Sequence, residues 1–167
     1  HDHLFVPIRF EAKSKADTLH TSTAPHFLWG MFRDVVLRRG WFEKTFLEAG
    51  AFLRLEGAPP PPLPDLPDLQ YLSIPWAYPE PNDDGPEPPT IAKAPSFTMM
   101  PVLLQPRSRG TVRLAEADPT VAPLMDPAYL EDDRDMQMLL RAFDLSREVA
   151  GHPAMGELFK REATPGP

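Results

Sequence analysis

Cysteine is absent from the 167 residues. That removes disulfides, thiol nucleophiles and cysteine-ligated metals at once. Basic runs are equally scarce: none is longer than the pair Arg38–Arg39, and the formal net charge is −7. Neither nucleic acid nor an anionic membrane is expected as a partner, because no electropositive stretch would attract it. No apolar run approaches the roughly 18–20 residues that a membrane span requires, and no signal peptide opens the sequence. A cytoplasmic setting is the expectation. The first residue is His1 rather than methionine, which suggests processing or excision from a longer polypeptide.

Catalytic signatures are also missing. There is no Gly-x-Ser-x-Gly elbow for a serine nucleophile, no glycine-rich nucleotide fingerprint and no P-loop. His1 and His3 flank Asp2 in a pattern that could chelate a metal at a free amino terminus, but His20, His26 and His152 stand alone and supply no further ligands. A loop reading of His1–His3 is favoured, and no metal is expected. Glu131, Asp132, Asp133 and Asp135 could imitate a cation site. A helix amino terminus rich in carboxylates explains them with fewer assumptions.

Proline, by contrast, is abundant, at 23 of 167 residues. Long helices and central strands exclude it, so the prolines must gather in loops. Two stretches do so, 57–68 with Pro59 to Pro62 in succession and 75–95. Such loops could bind SH3 or WW domains as polyproline ligands, and a freestanding binding or scaffold module is the second functional reading. Spacers crossing a sheet are their commoner meaning.

Between the loops, alternation predicts strands over 4–12, 48–55, 69–74, 97–104 and 110–115. Pro7 assigns the first of these to an edge or a bulge. A helix is predicted after Thr23, with Leu28, Met31, Phe32, Val35 and Val36 on one stripe, Arg38 and Arg39 near its end and Gly40 stopping it. A longer one starts at the N-cap Asp132, with Met136, Leu139, Leu140, Phe143 and Val149 as its apolar face, and ends at Gly151 and Pro153. A short helix over 154–160 is expected next. Strands joined by loops rather than by helices make this α+β, a mostly antiparallel or mixed sheet with helices on one face.

Glu48 is the residue whose setting is least explained by packing. In its strand Ala49, Ala51, Leu53 and Leu55 share one face, and Glu48, Gly50, Phe52 and Arg54 the other. A carboxylate, an aromatic ring and a glycine permitting close approach could wall a small-molecule pocket. A solvent-facing edge strand would look the same, and periodicity alone leaves both readings open. The alanine–leucine face should pack on helices around Phe32, Val36 and Phe143.

The order of several segments says more than any one of them. Leu103 to Ala122 reads LLQPRSRGTVRLAEADPTVA and continues to Pro127-Ala128-Tyr129-Leu130. It closely resembles the P-x-S-R-G, valine–leucine strand, D-P and A-Y-L succession of the glucose-methanol-choline oxidoreductase family. Glu48-Ala49-Gly50-Ala51-Phe52 resembles the family's E-A/T-G-x-F strand. Pro67-Asp68-Leu69-Gln70-Tyr71 resembles its P-D-x-Q-F/Y-H strand, with Leu72 where histidine is frequent. Asp2-His3-Leu4 is similar to the end of its N-L-x-D-H segment, and Arg161 to Gly166 to its next tail. Members acting on choline are the nearest in pattern.

The resemblance implies that residues 1–167 are a substrate-binding domain of about six strands. Its parent would bind FAD mainly elsewhere, with a dinucleotide fingerprint upstream and a catalytic histidine downstream. In that parent a histidine would take the hydroxyl proton while hydride passes from the alcohol carbon to flavin N5. The segment alone is expected to be inactive. Its partners would be the FAD-binding domain of the parent and a small alcohol. Glu48 is implied as the substrate-facing carboxylate, with Phe52 and Gln70 as further substrate-binding candidates.

Overall fold

A computed structural model of the chain describes residues 4–13, 24–37, 47, 49–57, 60–78 and 95–166, and of residues 24–27 the backbone alone. Six strands form one sheet: β1 (Leu4–Phe5), β2 (Ile8–Ala12), β3 (Ala49–Leu53), β4 (Leu69–Ile74), β5 (Ser96–Leu103) and β8 (Phe159–Thr164). They run in the order β3-β4-β5-β2-β8, with β1 beside β5 in line with β2. Every pairing is antiparallel. A separate hairpin pairs β6 (Thr111–Arg113) with β7 (Leu124–Asp126). Helix α1 (Ala24–Phe32) continues as a π-helical turn over Arg33–Leu37, and α2 spans Asp133–Gly151. This is the expected α+β class. No helix among the described residues is long and apolar enough to cross a membrane.

The break between β1 and β2 has a local cause. Val6 donates to the Pro101 carbonyl opposite it, and the next residue, Pro7, has no N–H with which to continue the ladder. Pro7 thus breaks the strand between β1, which pairs with β5 alone, and β2, which lies between β5 and β8.

Strand β8 replaces the short helix expected over 154–160. Pro153–Met155 make one 3-10 turn, and Phe159–Thr164 then pair with β2. Phe159 stacks on Phe10 at 5.1 Å, and Arg161 sits opposite Glu11 as its ion-pair partner. Such cross-strand pairs outweigh local helix preference.

The core lies between the sheet and α2. Leu55, Leu69, Leu103, Met138, Leu139 and Ala142 form one cluster; Ile8, Phe10, Met99 and Phe159 form another, with Phe143 packed against it. The inward face of α2 differs from the expected stripe. Asp135, Met138, Leu139, Ala142 and Ser146 are buried, whereas Met136, Leu140 and Val149 are exposed. The helix is turned by about one residue, roughly 100°, because two polar groups help to seat it. Asp135 is fully buried, and Ser146 hydrogen-bonds the Tyr71 hydroxyl at 3.0 Å. Phe32 and Val36 are exposed and do not back β3. Helix α2 crosses the middle of the sheet, and a cavity of about 480 Å³ remains between β3 and Leu145, Val149 and Met155. Thr23, Arg38, Arg39 and Gly40 lie outside the described residues.

Candidate functional site on the open face of the sheet

Strands β3 and β4 carry the sequence-derived candidates. Their register pairs Gly50 with Leu72, Ala51 with Tyr71, Phe52 with Gln70 and Leu53 with Leu69. Directly opposed residues of an antiparallel pair share a face. Leu53, Leu69 and Tyr71 turn toward α2: Leu53 packs on the first core cluster, and the Tyr71 hydroxyl donates to the Ala142 carbonyl. Burial raises the pKa of that phenol. Gly50, Phe52, Gln70 and Leu72 are therefore left on the opposite face.

Phe52 and Gln70 are thus cross-strand neighbours, with Phe52 64% exposed. Glu48 lies outside the described residues, so the structure brings together two of the three candidates. Gly50 is needed where it stands: a Cβ there would sit 2.9 Å from the Tyr71 carbonyl oxygen. Leu72 and Met100 continue the same face, one register pair after another. Sequence reading passed over both, although alternation from Gln70 through Leu72 offered the signal.

Toward β5 this face is covered: Val102, Met100, Thr98 and Ile74 are buried. Tyr78 donates its amide to Thr98 Oγ1 at 3.0 Å, and that hydroxyl donates to the Trp76 carbonyl at 2.7 Å. The Tyr78 ring meets Phe5 edge-to-face at 5.4 Å. At the β8 edge the Arg161 guanidinium, hydrogen-bonded to Glu11 and helped by Lys160, lowers the Glu11 carboxyl to a pKa of about 2. Chemically, the β3–β4 end offers an aromatic and aliphatic wall with one amide. Gln70 can both donate to and accept from a polar ligand.

A second polar assembly holds the loops. Asp135 accepts from the amides of Arg107 (2.8 Å) and Ser108 (2.9 Å). Burial opposes its charge, but the Ser108 hydroxyl, these amides and Arg134 outweigh it and hold the carboxyl below its ordinary range. Gln105 grips the proline-rich loop through Leu63, Leu66 and Pro67. Arg107 and Arg134 both donate to the Pro60 carbonyl. The acidic cluster at α2 is thus divided between a cap, Asp132 accepting from the Arg134 amide, and this buried anchor. Among the described residues no group of three histidine or acidic side chains could hold a metal. His152 caps the 3-10 turn, and His1, His3 and His20 lie outside the described residues.

The sheet, its backing helix and the hairpin define a fold shared with part of a formate oxidase, at a TM-score of 0.72 and 19% identity over 99% of this chain and 32% of that one. The chain belongs to the glucose-methanol-choline (GMC) oxidoreductase family: residues 106–167 match the family model described as GMC oxidoreductase. It is 31% identical to an alcohol dehydrogenase [acceptor] of Pseudomonas putida over 99% of its length. To an oxygen-dependent choline dehydrogenase of Stenotrophomonas maltophilia it is 29% identical over the same share. It spans 28% of the length of each of these relatives.

Proposed function

We propose that residues 1–167 are the substrate-binding domain of an FAD-dependent alcohol oxidoreductase, and that the open face at β3–β4 walls its substrate. The observation that carries this reading is the adjacency of Phe52, 64% exposed, and the half-buried Gln70 at the β3–β4 end of that face. The described residues do not fit as the holder of FAD. Every strand pairing is antiparallel, so no βαβ unit aims a helix amino terminus at a pyrophosphate. The flavin would be bound mainly by the FAD-binding domain of the parent chain, where it supplies the hydride acceptor. This domain contributes shape and orientation. Phe52 and Leu72 hold the carbon skeleton of the alcohol, Gln70 takes a polar substituent, and Glu48, the residue before Ala49 in sequence, favours a cationic one.

The proline-rich scaffold reading loses support from the loop's own bonding. The Pro60, Leu63, Leu66 and Pro67 carbonyls are taken by Arg107, Arg134 and Gln105. A polyproline ligand offers such carbonyls to its receptor.

In the full-length parent, Glu48→Gln is expected to raise KM strongly for a charged amino-alcohol and to leave a neutral alcohol nearly unchanged, the pattern of lost ground-state binding. Equal effects on both substrates would assign Glu48 a structural role. The 167-residue chain is expected to bind no FAD and to oxidise no alcohol; retained flavin absorbance after purification would overturn the domain assignment.

A further inference from the structure

The hairpin β6–β7 is built at odds with the rest of the molecule. Residues 111–127 are exposed throughout, and no side chain of either strand is buried. Val112 is 72% exposed, Met125 72% and Leu114 83%. An isolated two-stranded hairpin is marginal in water, because ordering its backbone costs about 1–2 kcal/mol per residue and little apolar area is buried in return.

Its base is nonetheless rigid. A Cβ at Gly110 would fall 2.2 Å from the Asp126 carbonyl oxygen, so the two strands start in close contact. Asp126 accepts from the Ala128 amide, and Ala128 and Leu130 hold positive φ values of 48° and 63° in the turn toward α2. Left-handed residues other than glycine are strained and persist where the surroundings hold them. Just before the hairpin, Arg107 and Ser108 are fixed to Asp135, and the Ser108 hydroxyl accepts from the Asp132 amide.

The ribbon has two unlike faces. Val112 opposes Met125, and Leu114 follows two residues on, so these three share one side. Thr111, Arg113 and Asp126 lie on the other with Leu124. An apolar strip backed by charges suits a ribbon that lies flat on an apolar surface.

We propose that β6–β7 is a docking arm whose apolar side, Val112, Leu114 and Met125, seats on an apolar patch of the parent polypeptide outside residues 1–167. Two observations select that occupant over a second copy of the chain. The chain spans 28% of its curated relatives' length, so most of each relative lies outside the matched span. The arm also opens the stretch, 106–167, that matches the family model. The inference rests on the domain reading above for the identity of the partner, but not on any activity.

The test is amide hydrogen exchange on the full-length parent and on the 167-residue chain, each at two concentrations. In the parent, amides of 111–113 and 124–126 should be protected roughly 100-fold or more over the chain alone. The double variant Val112→Lys with Met125→Lys should abolish that protection and leave β5 unchanged, which also reports that the variant folds. Unprotected arm amides in the parent would overturn the proposal. So would protection in the 167-residue chain: concentration-dependent protection would make a second copy the occupant, and concentration-independent protection would mean that the arm needs none. Alcohol turnover is not part of this readout. A protected arm in a parent that oxidises no alcohol sinks the activity alone, and an unprotected arm in an active parent sinks the arm alone.

Discussion

The two faces of the sheet part ways at its β3–β4 end, between Leu53 and Phe52. On the α2 side, Leu53, Leu69 and Leu103 meet Met138, Leu139 and Ala142, and even the polar Tyr71, Ser146 and Asp135 find partners within the chain. On the other side, Val102, Met100, Thr98 and Ile74 are buried toward β5, where the strap through Trp76 and Tyr78 lies, while at the β3 edge Phe52 stands 64% exposed beside Gln70. The same alternation of residues serves both faces. What differs at Phe52 is that no described part of the chain covers it. A face that a chain completes by itself is a matter of stability, and a face that it leaves unfinished is available for recognition.

Substitutions can break this contrast, and the largest effect is expected at Asp135. Asp135→Ala strands the Arg107 and Ser108 amides and the buried Arg134 charge, and should cost about 3–5 kcal/mol in urea unfolding. A loss under about 1 kcal/mol would show that the anchor is incidental. Met138→Ala, at 0% exposure, should cost about 2–5 kcal/mol through the cavity it opens. Phe52→Ala, on the open face, should change stability by no more than about 0.5 kcal/mol. Comparable losses at the two positions would abolish the distinction between the faces. Tyr71→Phe should be milder, near 1 kcal/mol, because the Ser146 hydroxyl still donates to the Ala142 carbonyl at 2.9 Å.

The smallest effect concerns pH. Glu11 titrates at about 2 in the folded chain against an ordinary 4.5. A depressed carboxylate stabilises above its unfolded value, so its contribution is complete above pH 4.5 and disappears as pH falls toward 2. The pair with Arg161 is exposed and screened by salt. The melting temperatures of the native chain and of Glu11→Gln should therefore converge between pH 4.5 and 2, and more weakly in high salt. Parallel curves would remove Glu11 from the account.

Legibility in the sequence followed the range of the interactions. Strands β3, β4 and β5 and the Asp132 cap depend on neighbours a few residues away, and alternation and capping chemistry revealed them. Strand β8 did not declare itself, because its reasons, Phe10 and Glu11, lie some 150 residues upstream. The rotation of α2 was hidden for a similar cause. Apolar periodicity weighs Met136 and Leu140 but cannot weigh a buried aspartate whose partners are backbone amides. For the candidate site, alternation set Phe52 apart from Leu53, while the meeting of Phe52 with Gln70 required a register fixed by pairing across a 15-residue connection between β3 and β4.

The way the proline-rich loop is fastened has a consequence for how such a chain can change over time. Gln105, Arg107 and Arg134 hold it by main-chain atoms: the Leu63 amide and the carbonyls of Pro60, Leu63, Leu66 and Pro67. Carbonyls are common to every residue type, and the Leu63 amide to every type but proline, so with residue 63 kept free of proline the grip is indifferent to which side chains the loop carries. Mutational drift along 60–67 is therefore cheap as long as the path is kept, whereas loss of the single Gln105 side chain releases four bonds at once. The loop is free to diversify because its fasteners lie outside it.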